Sequence, residues 1–142
     1  MQVSQVLHRK TGDIASVSPE TPIPAVAAML KSRGIGAVVV LGKDGDLKGI
    51  LSERDIVYAM SENVNGLGDL TAAELMTADV QTCRPAHDVN DVMRSMTQKR
   101  FRHMPVLDNG KLVGIMSIGD AVKSRIEELE NERRALESFI TG

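Results

Sequence analysis

Gly114-Ile115-Met116-Ser117-Ile118-Gly119-Asp120 repeats, in the second half of the chain, the pattern of Gly49-Ile50-Leu51-Ser52-Glu53-Arg54-Asp55. In each copy a short apolar run predicts a strand, and the Ser stands where an amphipathic helix would begin. Residues i and i+3 share one face of a helix start, where the backbone N–H groups are exposed. The repeated Ser-x-x-Asp therefore sets a hydroxyl beside a carboxylate, a pair that suits a vicinal diol such as that of ribose.

The duplication extends over most of the chain. Pro85 follows Pro19 at an offset of 66 residues (85 − 19). At the same offset, apolar positions at helical spacing recur, namely Ile23, Val26, Ala27 and Leu30 matched by Val89, Val92, Met93 and Met96. Asp120 follows Asp55 at an offset of 65 (120 − 55), because the Asn109-Gly110 hairpin turn is one residue shorter than its counterpart. Each copy thus predicts strand, helix, strand, strand, helix, with first strands over residues 13–17 and near 80–83.

A unit with one small sheet and two helices leaves a large apolar face uncovered, so we expect two copies to bury these faces against each other. The predicted fold class is α+β: two β-α-β-β-α repeats packed with pseudo-twofold symmetry in one globular module. The repeats span residues 10–62 and 69–126, and a C-terminal helical extension spans 127–142. Two equivalent clefts follow, each with one Ser-x-x-Asp at its mouth.

The composition is that of an ordinary globular protein, with 142 residues of which 42% are hydrophobic, 25% charged and 2% aromatic. A net charge of −2 disfavours a nucleic-acid-binding surface. The single cysteine, Cys83, excludes an internal disulfide and fits a reducing compartment. No apolar run approaches the roughly 18 residues of a spanning helix. We therefore expect a cytoplasmic protein with no membrane association.

The order of elements, the repeated Gly-hydrophobic-hydrophobic-Ser-x-x-Asp ending and the strand Arg102-His103-Met104-Pro105-Val106 resemble a tandem pair of cystathionine-β-synthase (CBS) domains, the Bateman module. The resemblance covers roughly residues 10–126, and it is greatest to small stand-alone proteins in which a CBS pair is the entire product. It implies a regulatory, signal-transducing module that binds AMP or another adenosine-containing ligand (ATP, ADP, NAD(H) or S-adenosylmethionine), with no covalently bound cofactor.

By this resemblance Asp55 and Asp120 are ribose ligands, with Ser52 and Ser117 beside them. A single Ser-x-x-Asp is explained equally well by a helix cap, which stabilises many helix starts by about 1 kcal/mol. Two copies, each after a Gly-led apolar strand within a repeat, favour the ribose-binding interpretation.

The resemblance assigns the nucleotide phosphates to Arg102 and His103, which lie in the basic run Lys99–His103. The alternative is a solvated basic edge strand that deters sheet pairing. Because the first repeat has Gly34–Ala37 at the matching positions, we expect the Asp120 cleft to be the better phosphate site. Arg54 faces phosphate in its own cleft or across a dimer, or is a surface arginine paired with Glu53 or another neighbour, and the sequence leaves both open.

The adenine needs flat apolar walls. The family's crossed pattern assigns Ile35, Ala37, Ile14 and Ala15 to the Asp120 cleft, and Phe101, Thr77 and Val80 to the Asp55 cleft. Phe101 is the strongest of these candidates, because an aromatic ring can stack on a base. For each apolar residue the alternative is an ordinary core position.

Metal binding and catalysis are both disfavoured. Cys83, His87, His103 and His8 match no zinc-ligand spacing. Asp55 and Asp120 are repeat equivalents in separate clefts, and no nucleophile–base set accompanies them. We therefore expect no metal site and no enzyme.

The last predicted helix runs from Ile118 to about Ile140. Its apolar positions form a seam at alternating spacings of four and three, interrupted by Arg133: Val122, Ile126, Leu129, Leu136 and Ile140. The seam packs on its own module or joins two copies, and a homodimer is expected in either case. The predicted protein is a nucleotide sensor that acts on an unidentified regulated protein. The alternative is a structural or adaptor dimerisation module with vestigial ligand clefts.

Overall fold

The computed structural model of the protein describes residues 1–10 and 12–141. Thr11, in the predicted first repeat, and Gly142, at the end of the predicted C-terminal extension, lie outside the described residues. Within the described ranges the helices are α1 (Val3–Arg9), α2 (Ile23–Arg33), α3 (Glu53–Glu62), α4 (Ala72–Leu75), α5 (Val89–Lys99) and α6 (Ile118–Thr141). The strands are β1 (Ser16–Val17), β2 (Ala37–Leu41), β3 (Leu47–Ser52), β4 (His103–Asp108) and β5 (Lys111–Ser117).

The chain forms two compact units, which we call the first-repeat unit (residues 13–81) and the second-repeat unit (residues 1–12 and 82–142). Each unit holds one small sheet with helices packed on it, so the predicted α+β class is confirmed. The second-repeat unit also includes residues 1–12, which precede the first repeat, and the first-repeat unit continues to residue 81, past the end of its own repeat. The repeat bounds 10–62 and 69–126 remain predictions.

In the first-repeat unit β2 is the central strand. It pairs in parallel with β1, Val17 opposite Val40, and antiparallel with β3, Ala37 opposite Ser52. Residues 37–40 of β2 are all buried, as expected for a strand that is covered on both faces. The register sets Ser52, the first residue of the first Ser-x-x-Asp, at the end of β3 and beside the start of β2.

In the second-repeat unit the strand predicted near residues 80–83 is reduced to one bridge. The Cys83 N–H donates to the Pro105 carbonyl at 3.1 Å, and the Leu107 N–H donates to the Cys83 carbonyl at 2.9 Å. Pro105 occupies the position of Val39 in the first repeat (39 + 66), where the Val39 N–H donates to the Ala15 carbonyl at 3.2 Å. Proline has no N–H, so this ladder cannot continue. The strand predicted over 13–17 is likewise shorter, being limited to β1.

The glycine that opens each repeated stretch is in contact with a side chain from a short helix, α1 or α4, or from the residue that follows it. Leu7 of α1 lies against Gly114, and Val3 and Val6 of the same helix are buried in the core of the second-repeat unit. Met76, which follows α4, lies against Gly49 of the first-repeat unit. The helix α1 is not among the elements predicted from the sequence.

The helices α2 and α5 end on equivalent residues in the left-handed conformation. Gly34 has φ 62° and ψ 40°, and Arg100 has φ 60° and ψ 44°. Glycine adopts this conformation readily, whereas a residue with a Cβ pays about 1 kcal/mol or more. The end of α5 therefore carries backbone strain that the end of α2 lacks.

We expect Arg100→Gly to raise the free energy of unfolding by about 1 kcal/mol, and Gly34→Arg to lower it by about the same amount. The physical reason in both cases is the left-handed backbone. Urea unfolding of the two variants and the wild type measures the difference. A less stable Arg100→Gly variant would contradict the prediction.

The long C-terminal helix is confirmed as α6. Its buried residues are Ala121 and Ser124, whereas the predicted seam is exposed, with Leu129 47% and Ile140 80% accessible. The seam therefore does not pack on its own unit. Among the described residues no helix, α6 included, is both long enough and apolar enough to cross a membrane.

Candidate functional site

The first Ser-x-x-Asp forms a capping box at the start of α3. The Ser52 hydroxyl accepts a hydrogen bond from the Asp55 N–H at 3.3 Å. The Asp55 carboxylate oxygen Oδ2 accepts from the Ser52 N–H at 2.8 Å and from the Ser52 hydroxyl at 3.0 Å. Ser52 and Asp55 therefore form the helix cap that the sequence offered as the alternative to ribose binding. It is compatible with ribose binding, because an ionised carboxylate has about four acceptor sites.

The second Ser-x-x-Asp forms the equivalent box at the start of α6. The Ser117 hydroxyl accepts from the Asp120 N–H at 3.0 Å, and Asp120 Oδ2 accepts from the Ser117 N–H at 2.9 Å. Both side chains are half-buried. In both units, therefore, the backbone holds the carboxylate at the N-terminus of a helix, where the helix dipole favours a negative group.

The strand β4 brings basic residues beside this second box. His103 lies directly opposite Ser117 in the β4–β5 register, and the Ile118 N–H donates to the Arg102 carbonyl at 2.8 Å. The structure thus groups four predicted site residues, with Arg102 exposed and His103 half-buried. In the first-repeat unit, Gly36 and Ala37 occupy the equivalent positions beside Ser52. The predicted difference in basic residues between the two sites is therefore present in the fold.

Lys10 is the residue at this site that the sequence analysis missed. Its ammonium lies 2.9 Å from Asp120 Oδ2 and donates to the Ile115 carbonyl at 2.8 Å. The contact joins residues 110 positions apart in sequence and depends on the docking of α1. The available signal was the apolar spacing of Val3, Val6 and Leu7, but a seven-residue segment is too short for periodicity to identify a helix.

Asp120 is held in its ionised form. Burial alone would raise the pKa of this carboxyl, but the hydrogen bonds from Lys10 and Ser117 outweigh burial, so that the pKa lies below its ordinary value of 3.8. The stability contributed by ionised Asp120 is therefore fully present above pH 3.8 and is lost as the pH falls through the lowered pKa. At neutral pH the carboxylate is available as an acceptor.

Arg54 lies in the first turn of α3, between Ser52 and Asp55 in sequence, and is half-buried. Its two alternatives, a phosphate ligand or an ion-paired arginine, both remain predictions.

The predicted apolar walls are divided between the two units. Ile14, Ala15, Ile35, Ala37, Thr77 and Val80 belong to the first-repeat unit, and Phe101 belongs to the second-repeat unit. Ala15 and Ala37 are buried, Ile35 packs on the core of its own unit, and Phe101 packs on the core of the other. Thr77 is exposed and exchanges both backbone hydrogen bonds with Ile50. Five of these residues thus have structural roles in their own units, and the pairing of all seven with Asp120 or Asp55 remains a prediction.

No group of three His, Cys, Asp or Glu side chains among residues 1–10 and 12–141 is arranged to hold a metal ion. Cys83 is buried, and burial raises the pKa of its thiol to about 11. The thiol is therefore protonated at neutral pH.

Comparison with known proteins gives the family context. The CBS domain family model matches residues 3–62 and 72–127. The crystal structure of the CBS-domain containing protein ATU1752 from Agrobacterium tumefaciens is 40% identical to this chain, covers 88% of it and 99% of its own chain, and has a TM-score of 0.84.

Two more distant solved structures contain adenosine ligands. CBS domain protein PAE2072 from Pyrobaculum aerophilum is complexed with AMP; it is 24% identical, covers 84% of this chain and 89% of its own, and has a TM-score of 0.73. The CBS domain pair of protein MJ0100 is in complex with 5′-methylthioadenosine and S-adenosyl-L-methionine; it is 23% identical, with coverages of 90% and 98% and a TM-score of 0.79. At these identities the likeness shows a shared fold.

Proposed function

This chain belongs to the CBS domain family, and from that premise we propose that it is a regulatory module that binds an adenosine-containing ligand such as AMP. One observation carries the proposal: an ionised carboxylate, Asp120, is fixed at the N-terminus of α6 by the backbone of Ser117. A fixed, partly exposed carboxylate can accept hydrogen bonds from both hydroxyls of a ribose.

In the proposed complex each residue of the second-repeat site has one role. Asp120 and Ser117 bind the ribose, and Arg102 and His103 meet the phosphate. The candidate base contacts are Ile14, Ala15, Ile35 and Ala37, which belong to the first-repeat unit. The AMP complex of PAE2072 and the S-adenosyl-L-methionine complex of MJ0100 support this ligand class, since both proteins share the fold.

The first-repeat site is proposed as the weaker of two. Asp55 and Ser52 make the same capping box as their counterparts, with Arg54 as the candidate phosphate ligand and Phe101, Thr77 and Val80 as the candidate base contacts. The positions equivalent to Arg102 and His103 are Gly36 and Ala37, which provide no charge. We therefore expect anionic ligands to prefer the Asp120 site.

Regulation requires only that the ligand binds one arrangement of the protein better than another. We propose that the protein works in the cytoplasm as a homodimer and transmits ligand occupancy to a regulated protein. The exposed apolar seam of α6 is the surface available for such contacts.

A thermal-shift panel of AMP, ADP, ATP, NAD(H) and S-adenosylmethionine tests the proposal. A bound ligand at 100 times its Kd stabilises the native state by about 2.7 kcal/mol, which raises the Tm by several degrees. We expect at least one member of the panel to do so. A folded protein whose Tm responds to none of them would refute the sensor function.

The exposed seam of α6 also favours the second candidate, an adaptor module with vestigial ligand sites. This candidate predicts no thermal shift with any nucleotide. It also predicts that Asp120→Ala leaves partner binding intact, whereas loss of a nucleotide response in that variant favours the sensor.

A further inference from the structure

Lys10 places a positive charge directly on the Asp120 carboxylate. Its ammonium is bonded to Asp120 Oδ2 at 2.9 Å and to the Ile115 carbonyl at 2.8 Å. An ammonium has three N–H donors, and these two bonds to described residues leave one for a further acceptor. The Lys10 side chain is 41% exposed.

The position of Lys10 is fixed by the helix that precedes it. Val3 and Val6 bury α1 in the core of the second-repeat unit, and Leu7 lies against Gly114 of β5. At the two ends of α1, the Met1 amine pairs with Glu128 at 2.6 Å and Arg9 pairs with Glu127. Tertiary packing therefore fixes the backbone position from which the Lys10 side chain reaches Asp120.

The duplicated sequence provides an internal comparison. The backbone aligns the two covering segments, because the N–H groups of Val3 and Ser4 bond to His87 and Pro85 as those of Ala72 and Ala73 bond to Thr21 and Pro19. The offset there is 69 (72 − 3), so Leu7 corresponds to Met76, which lies against Gly49, and Lys10 corresponds to Asp79 (10 + 69). The first repeat thus has an acidic residue at the position where the second has an ammonium. Both boxes are otherwise alike, since in each the Ser N–H donates to Asp Oδ2.

A carboxylate that binds a ribose has an electrostatic disadvantage when the ligand carries a phosphate, because the two anions repel each other. An ammonium bonded to the carboxylate cancels that repulsion and leaves the carboxylate's remaining acceptor sites open. We infer that Lys10 is a specificity-determining residue that makes the Asp120 site select phosphorylated over unphosphorylated adenosine ligands. The inference rests on the proposed function.

Isothermal titration of AMP and adenosine into wild type and Lys10→Met tests it, with Arg9→Met as the matched control. Methionine removes the charge and keeps an unbranched side chain, and Arg9→Met removes one positive charge from the adjacent position, which pairs with Glu127 and not with Asp120. We expect Lys10→Met to weaken AMP binding about tenfold and to leave adenosine binding within about twofold, by the Coulomb argument above. Arg9→Met should change neither the affinity for AMP nor that for adenosine by more than about twofold. Lys10→Arg keeps the charge and should retain the preference for AMP.

Equal losses for AMP and adenosine in Lys10→Met would overturn the inference, because they would show that Lys10 only positions Asp120. Unchanged AMP affinity would overturn it too. Both outcomes leave the proposed function standing, since the wild type still binds AMP. Failure of folded wild type to bind either ligand would also overturn the inference, whereas the proposed function is refuted only if every member of the thermal-shift panel fails to bind as well.

Discussion

Asp120→Ala is expected to weaken AMP binding about 100-fold, and Asp55→Ala by less than about tenfold. A hydrogen bond to a charged group contributes about 1.5–3 kcal/mol, and each 1.4 kcal/mol is a tenfold change in affinity, so losing the diol's bonds to a carboxylate removes about two orders of magnitude. The loss is larger at Asp120 because Lys10, Arg102 and His103 lie on the same unit and favour an anionic ligand there. Titration calorimetry of both variants measures the two losses.

The two variants are matched controls for each other. Each removes one carboxylate from a capping box, which costs about 1 kcal/mol, and Asp120→Ala also removes a partly exposed ion pair with Lys10, which contributes little more. A difference in affinity at similar stability therefore reports on the ligand and not on folding. Equal losses of AMP affinity would contradict the claim that the two sites differ.

Gly49→Ala is expected to lower the free energy of unfolding by about 2–3 kcal/mol, and Gly114→Ala by about 1 kcal/mol. A Cβ on Gly49 would lie 2.6 Å from the Met76 sulfur and 2.8 Å from the Thr77 carbonyl oxygen. The carbonyl cannot move without breaking the backbone pair between Thr77 and Ile50. A Cβ on Gly114 would instead lie 2.7 Å from the end of the Leu7 side chain, which can adopt another rotamer.

Urea unfolding of the two variants tests this ranking, with Gly68→Ala as the control. Gly68 has no atom within 4 Å of its added Cβ, so its substitution should change stability by less than about 0.5 kcal/mol. If Gly114→Ala lowered the free energy of unfolding more than Gly49→Ala, the contact between Gly49 and the Thr77 carbonyl would not determine the ranking.

The repeat made much of the site predictable from sequence. Because the offset of 66 aligns Gly36 and Ala37 with Arg102 and His103, it predicted that the two sites differ in basic residues. The fold has Ala37 opposite Ser52 and His103 opposite Ser117, as that alignment requires. The Ser-x-x-Asp spacing also predicted the starts of α3 and α6, since capping is a local interaction that sequence records directly.

The features that sequence did not predict depend on contacts between distant residues. Lys10 reaches Asp120 only because α1 docks on the second-repeat unit, across 110 positions of sequence. The strand near residues 80–83 is lost because Pro105, on another strand, cannot donate a hydrogen bond. Arg100 adopts the left-handed conformation of Gly34 although its own residue type gives no indication of it.

We propose that Asp120 binds the ribose diol of an adenosine ligand, and titration of AMP and 2′,3′-dideoxy-AMP into wild type and Asp120→Ala tests this role. The analogue lacks both hydroxyls and keeps the base and phosphate. We predict that wild type binds the analogue about 100-fold more weakly than AMP, and that Asp120→Ala binds both with equal affinity. Equal affinity of wild type for AMP and the analogue would contradict the claim, as would a discrimination that persists in Asp120→Ala.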